Sequence, residues 1–386
     1  MSFIPYSCQN ITDADVDGVA RVLRSEYLTQ GPAVTQFEAQ FAQRHQVAHA
    51  VAVSNATAGL HIACLALDVG LGDRVWTSPN SFLASANCAL YCGANIDFVD
   101  IDPQTRNMSV QCLAEKLVAA AKVNRLPKVV IPVDFAGLPC DLQDMRALAD
   151  RYGFRILEDA SHATGASYLG QPTGSQFADL TVFSFHAVKI VTTAEGGMVT
   201  TQDDRLAGRL RALRSHGMTR DPAELQRTSD GPWYYEQQCL GFNYRLTDLQ
   251  AALGSGQLAR LDAMHAQRII LADRYDELLS GLPVKTPARR ADRLSAWHLY
   301  AIEIDNTKVG AKRAAAFQAL RDAGIGVNVH YIPIHTQPYY ARLGFKRGDY
   351  PAAEHYYDHA ISLPLFPALT EAQQARVVNV LATALG

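Results

Sequence analysis

Lysine is scarce in this chain, and one lysine stands apart from the rest. The eight lysines lie at positions 116, 122, 128, 189, 285, 308, 312 and 346. Lys189 is therefore alone between 128 and 285, a stretch where arginines are frequent. It follows the apolar run Thr181-Val-Phe-Ser-Phe-His-Ala-Val and precedes Ile190-Val-Thr-Thr-Ala-Glu-Gly-Gly. A surface lysine usually sits among charged residues, whereas these neighbours are apolar or small hydroxyl residues. Burial lowers an amine's pKa, and the neutral amine it yields can condense with a carbonyl. A lysine extending from a strand end into solvent is the ordinary alternative.

Two upstream segments bear on that choice. Arg155-Ile-Leu-Glu-Asp159 reads as a buried strand ending in carboxylates, 30 positions before Lys189 (159 to 189). An Asp beyond a strand end can pair with a protonated pyridine nitrogen and keep the ring an electron sink, or it can simply cap the next turn. Val51-Ala-Val-Ser-Asn-Ala-Thr57-Ala-Gly reads as a strand, a small-residue turn and a helix start. Free N–H groups at a helix start suit a phosphate, although many strand-to-helix turns look alike. Amine, carboxylate and phosphate cradle together are the groups a pyridoxal phosphate site would need. No Gly-x-Gly-x-x-Gly follows a strand, which counts against a nicotinamide enzyme.

The elements that must position these groups are legible as alternation. Strand-like runs fall at Val47–Ser54, Arg74–Thr77, Asn95–Val99, Lys128–Val133, Arg155–Glu158, Leu180–Phe185 and Met198–Thr201. Helix-length segments at Thr57–Leu67, Phe82–Tyr91, Val110–Ala121 and Leu142–Tyr152 separate the earlier ones. Such alternation predicts a mostly parallel α/β sheet covered on both faces. No helix separates the last two runs, so they should pair antiparallel. Beyond Gly241-Phe-Asn243 the pattern predicts one long helix over Asp248–Gly281. It then predicts strands at His298–Ile304 and Gly326–Tyr331 around a helix at Lys312–Ala323, and a closing helix at Glu371–Leu385. The expected division is a large domain over 1–247 and a smaller α+β domain over 248–386.

A net charge of −3 offers no basic field for nucleic acid or membrane surfaces. The seven cysteines, at irregular spacing, read as reduced thiols. Met1-Ser-Phe-Ile-Pro does not resemble a signal peptide, and no apolar run nears the roughly 20 residues of a membrane helix. A cytoplasmic enzyme is the expectation. His330 and His335 read as a loop pair, without the further ligands a metal would need.

The ordered set Ser54-Asn-Ala-Thr-Ala-Gly, Ser78-Pro-Asn-Ser-Phe-Leu-Ala-Ser-Ala-Asn, Glu158-Asp-Ala-Ser-His-Ala, Phe183-Ser-Phe-His-Ala-Val-Lys and Gly241-Phe-Asn-Tyr-Arg-Leu-Thr-Asp-Leu-Gln resembles the DegT/DnrJ/EryC1/StrS sugar aminotransferases along essentially the whole chain. The resemblance implies a fold-type I pyridoxal 5'-phosphate enzyme and a homodimer with a shared active site. Lys189 would carry the cofactor and Asp159 would pair with its pyridine nitrogen. Phe82 and His162 would lie against the ring. Ala56, Thr57 and Ser184 would hold the phosphate, joined by Asn243 of the neighbouring subunit. Some relatives carry His in place of the lysine and catalyse dehydration, so the lysine here implies amino transfer.

Within the family, Leu28-Thr-Gln-Gly-Pro, Leu213-Arg-Ser-His-Gly-Met and Val329-His-Tyr-Ile-Pro-Ile are most similar to the branch of pseudaminic acid biosynthesis. That likeness implies transfer from L-glutamate to C4 of a UDP-4-keto-6-deoxy-N-acetylhexosamine. Tyr6, Glu26, Tyr27, Leu28, Thr29, His330, Tyr331, Ile332 and Pro333 would then contact the sugar nucleotide. Ala296-Trp-His-Leu-Tyr is also similar to the branch that acts on a UDP-4-keto-pentose. A pyridoxal-binding regulator without catalysis is the reading of a different class.

Overall fold

The computed structural model describes residues 3–305 and 313–386. Its central sheet has seven strands: β1 (His49–Val53), β2 (Arg74–Thr77), β3 (Asn95–Phe98), β4 (Val129–Ile131), β5 (Arg155–Asp159), β6 (Leu180–Ser184) and β7 (Gly197–Thr201). Their spatial order is β1-β7-β6-β5-β4-β2-β3. Six run the same way, and β7 lies antiparallel between β1 and β6, with Val182 opposite Val199. Each run expected from the sequence coincides with one of these strands to within two residues at either end, and the pair without an intervening helix is the antiparallel one. Every residue of β6 and β7 is buried, as a sheet covered on both faces requires.

Because six strands point one way, the segments leaving β1, β2, β4, β5 and β6 gather at a single edge. The helix after β1, Ala56–Ala66, is held close to the sheet by small residues. A side chain at Gly59 would meet Val182, Val199 and Val53 at 3.1–3.3 Å, closer than a well-packed methyl normally sits. That tight seat fixes where the helix begins.

A second apolar cluster gathers Tyr275, Trp297, Ile302, Leu320, Ile361 and Val377, with Ile4 from the N-terminal segment. Its antiparallel sheet joins Val284–Lys285, Tyr300–Ile304 and Ala360–Leu363. Helices Leu261–Leu278, Arg313–Asp322 and Glu371–Leu385 belong to the same part of the chain.

The structure departs from the sequence-based expectation at the long helix, at one expected strand and at two helices not foreseen. The expected long helix is two, Asp248–Ala259 and Leu261–Leu278, divided where Arg260 leaves helical geometry (φ −106°, ψ 5°). The Gly326–Tyr331 run is not a ladder strand. It makes one bridge, Asn328 to Ser362, and then turns toward the large sheet, while Ala360–Leu363 supplies the strand. The expected start of a helix at Lys312 lies outside the described residues, and the helix is present over Arg313–Asp322. Two helices the sequence reading passed over, Asp13–Leu23 and Pro32–His45, pack on Asp248–Ala259. Among the described residues, no helix is long and apolar enough to cross a membrane.

Candidate active site

A cavity of about 850 Å³ opens at the sheet edge where the strand ends gather. Its wall includes Ala56 and Thr57 after β1, Phe82 after β2, Asp159 and His162 from β5, and Ser184 and Lys189 from β6 and beyond. Residues more than 130 positions apart are thus brought to one place by the parallel order of the strands.

Lys189 is partly buried there. Loss of solvent pulls its ammonium down to about 8, against the opposing pull of the nearby Asp159 charge. The side chain can therefore supply a neutral amine near neutral pH, as its apolar neighbourhood implied. Asp159 is 4% exposed and firmly held. Its Oδ2 accepts from Ser85 Oγ at 2.6 Å and its Oδ1 accepts from the Ser161 amide at 3.1 Å. Ser85 in turn meets Ser81 Oγ at 2.7 Å. These serines lie in the quoted Ser78–Asn87 segment, but nothing in their spacing marked them as partners of a strand 74 positions away.

The helix Ala56–Ala66 presents its N-terminus to the cavity. Asn55 caps it by accepting from the Ala58 amide at 2.8 Å. The Ala56 and Thr57 amides belong to the first turn, whose N–H groups have no acceptor within the helix. Together with the Ser184 hydroxyl they form a cradle suited to a phosphate.

Imidazoles form much of the remaining wall. The His162 and His298 rings lie 4.4 Å apart between centroids. Burial and the charge of Lys189 hold both well below the usual histidine range and bring His330 down to about 4. The site thus surrounds its amine with neutral rings that can hydrogen-bond without adding positive charge. His298 was not foreseen as a site residue.

The remaining expectations divide. Tyr6, His330, Tyr331 and Ile332 line the cavity, and Phe82, 59% exposed, projects beside Tyr331 at 6.4 Å between ring centroids. Pro333 is buried next to them but is not part of the wall. Asn243 and the Glu26–Thr29 segment lie away from this chain's own cavity. Thr29 bridges Thr247 and the Asp248 amide donates to the Leu28 carbonyl at 3.0 Å, while Asn243 bridges Ser215. Both stretches are exposed. His335 is not in a surface loop: it is fully buried, with Nε2 2.8 Å from Glu354 Oε1. Among the described residues, no cluster of three or more His, Cys, Asp or Glu could hold a metal.

An amine of lowered basicity, a fixed carboxylate and a helix N-terminus around one cavity define the class: a pyridoxal phosphate aminotransferase fold. The residues present fit that cofactor, with a group for its aldehyde, its ring nitrogen and its phosphate. The sequence profile of the DegT/DnrJ/EryC1/StrS aminotransferase family matches residues 9–382, and the chain belongs to that family. It is 42% identical over 372 residues to the spore coat polysaccharide biosynthesis protein SpsC of Bacillus subtilis, covering 96% of this chain and 94% of that one. Among solved structures it is similar to the PLP form of the sugar aminotransferase Spr1654 of Streptococcus pneumoniae (TM-score 0.88, 31% identity, 99% and 98% of the two chains). A PMP form of Spr1654 is equally similar, with a TM-score of 0.89. Helicobacter pylori PseC, an aminotransferase of pseudoaminic acid biosynthesis, gives a TM-score of 0.90 at 29% identity over 100% of this chain and 99% of its own. Pyridoxal phosphate is the cofactor of this family.

Proposed function

We propose that this chain transfers the amino group of L-glutamate to C4 of a UDP-linked 4-keto-6-deoxy-N-acetylhexosamine. The observation that carries the reading is Lys189, an amine brought to about 8 and set with Asp159 and a helix N-terminus around one cavity. The similarity to PseC and to a polysaccharide biosynthesis protein supports a sugar acceptor. A UDP-4-keto-pentose is the second acceptor, on the Ala296–Tyr300 run that sets His298 in the cavity wall.

Pyridoxal phosphate, once bound, supplies an aldehyde for amines to add to and a ring that takes up the electron pair left when a C–H proton departs. The chain's own groups do the rest. Ala56, Thr57 and Ser184 bind the phosphate and set the depth of the ring. Asp159, oriented by Ser85 and Ser161, holds the proton on the ring nitrogen. Phe82 and His162 flank the ring and exclude water from it. Lys189 would take a proton from the donor's Cα and give it back to the carbon on the other side of the amino nitrogen, acting in turn as base and acid. Tyr6, His330, Tyr331 and Ile332 contact the sugar nucleotide, with Pro333 fixing the turn that carries them.

The working unit is a homodimer. Asn243 and Glu26, Tyr27, Leu28 and Thr29 are exposed and outside their own cavity, and in this reading they serve the cavity of the partner subunit. The chain divides into a cofactor-binding part over 1–247 and a smaller part over 248–386.

The test is a pair of half-reactions. Cofactor-loaded protein given L-glutamate should release 2-oxoglutarate and lose its visible absorbance. It should then aminate the N-acetylhexosamine acceptor in preference to the pentose, with NMR fixing the configuration at C4. No 2-oxoglutarate, or amination of the pentose alone, would sink the assignment. A pyridoxal-binding regulator would bind cofactor and release none.

A further inference from the structure

Directly behind Asp159, on the far face of its strand, lies a second acid that the chemistry above does not use. Glu158 is fully buried, and so is Asp134, which follows β4. Each has one oxygen satisfied: Thr181 Oγ1 donates to Glu158 Oε2 at 2.7 Å, and the Cys140 amide donates to Asp134 Oδ1 at 2.8 Å. The other oxygen of each, Glu158 Oε1 and Asp134 Oδ2, finds no donor among the surrounding groups. Yet the two carboxyl groups lie close enough to act directly on each other. Two carboxylate oxygens are both acceptors, so they can bond only through a proton.

We propose that Glu158 and Asp134 share one proton as a buried carboxyl–carboxylate pair, and that this pair is a positioning device for Asp159. The Glu158 O–H donates to Asp134 Oδ2, which satisfies both orphaned oxygens and leaves one negative charge where two would stand. Electrostatics agree with the geometry. Burial drives Glu158 well above the carboxylate range, and the bond from Glu158 partly offsets the rise at Asp134, held at about 6. The ionisable groups bearing on the pair are Asp159, which pushes both upward, and the Cys140 thiol, which donates to the Val133 carbonyl at 3.2 Å and also faces Asp134, helping to hold it down. Thr181 faces it from β6.

The consequence for Asp159 follows from the backbone. The Asp159 amide donates to the Pro132 carbonyl at 2.9 Å, and the Asp134 amide donates to the Asp159 carbonyl at 3.1 Å. The proton bridge adds a side-chain tie between the same two strand ends, one residue from the carboxylate that faces the cavity. Losing the proton would place two repelling charges behind that carboxylate and loosen both strand ends. This consequence rests on the cofactor reading, while the shared proton does not.

Infrared difference spectra of the cofactor-free full chain, taken at neutral pH with hydrogen–deuterium exchange, test the proton directly. A protonated carboxyl stretch should be present and should vanish in Glu158→Gln. Its absence in the parent protein, or its persistence in the variant, overturns the pair. Thermal melting provides an independent reading. Glu158 has a raised pKa when folded, so its contribution to stability is full below its unfolded value and declines as pH rises toward the folded one. Glu158→Gln keeps both hydrogen bonds without the proton, so its Tm relative to the parent should climb as pH rises above the unfolded glutamate value of about 4.5. A pH-independent difference overturns the proposal.

For the positioning role, Glu158→Met cannot donate and leaves Asp134 unpaired. Cofactor affinity should fall about tenfold or more in Glu158→Met and stay within about twofold in Glu158→Gln, since a charge-assisted bond is lost only in the first. Equal losses in both would refute positioning. Failure of the parent protein to bind cofactor, with the infrared band present, would instead refute the cofactor reading.

Discussion

Tyr331 Oη lies 3.1 Å from His162 Nε2, joining the loop from the smaller sheet's side of the molecule to the residue that follows β5. The Ala136 amide donates to His162 Nδ1 at 3.3 Å, which assigns the imidazole proton to Nε2. His162 therefore donates to the phenol oxygen, and burial keeps the ring neutral enough to do so. Burial and Asp159 also keep the Tyr331 phenol protonated, leaving its O–H to reach an acceptor in the cavity.

Tyr331→Phe should therefore spare the fold and reduce kcat/KM for the sugar acceptor by about three- to tenfold, the worth of one neutral hydrogen bond. The glutamate half-reaction should change less. An unchanged sugar kcat/KM would remove Tyr331 from the substrate contacts.

The Lys189 amine gives a pH dependence whose sign is fixed. With its ionisation at about 8, it is mostly protonated below that pH and mostly neutral above it. Capture of pyridoxal phosphate by the cofactor-free protein needs the neutral form, so its rate should rise with pH and level off above about 8. Stopped-flow absorbance reads this directly, and Lys189→Ala should show neither the visible band nor turnover.

Ser85 donates a short hydrogen bond to Asp159. Removing it in Ser85→Ala should cost about 1.5–3 kcal/mol of orientation at a charged acceptor, or roughly tenfold or more in kcat. Asp159→Asn, which removes the charge itself, should cost about 10²–10³-fold. The two variants should share this order in single-turnover assays with glutamate.

If Asn243 serves the partner's cavity, inactive chains should complement. A dimer of one Lys189→Ala chain and one Asn243→Ala chain contains one site with both residues intact. Mixing the two variants under exchange conditions should restore activity up to about a quarter of the parent value, the statistical yield of random pairing. No gain over the unmixed proteins would confine the site to one chain.

Arg106 and Glu303 are a buried ion pair, 6% and 5% exposed at their side chains, tying the segment after β3 to strand Tyr300–Ile304. Arg106→Ala leaves the Glu303 charge buried without its cation and should lower stability by about 3–5 kcal/mol, visible as a lower urea midpoint. A variant as stable as its parent would mean that solvent reaches Glu303.

The sequence by itself determined most of the frame. All seven sheet strands were legible because each is a short β-prone run, mostly apolar and set off by helices or a glycine turn, and local composition is all that pattern needs. Lys189 stood out for the same reason, as one ionisable residue among apolar neighbours. What lay beyond the sequence were facts of distance between separate strands. Ser85 reaching Asp159, Tyr331 reaching His162 and Glu158 being buried near Asp134 depend on strand order and on which face each residue takes. The break at Arg260 and the turning away of Gly326–Tyr331 were likewise decided by tertiary packing, since a helical or β-prone composition does not say where a neighbouring element requires the chain to bend. Composition placed the elements along the chain, and only the fold decided which side chains meet.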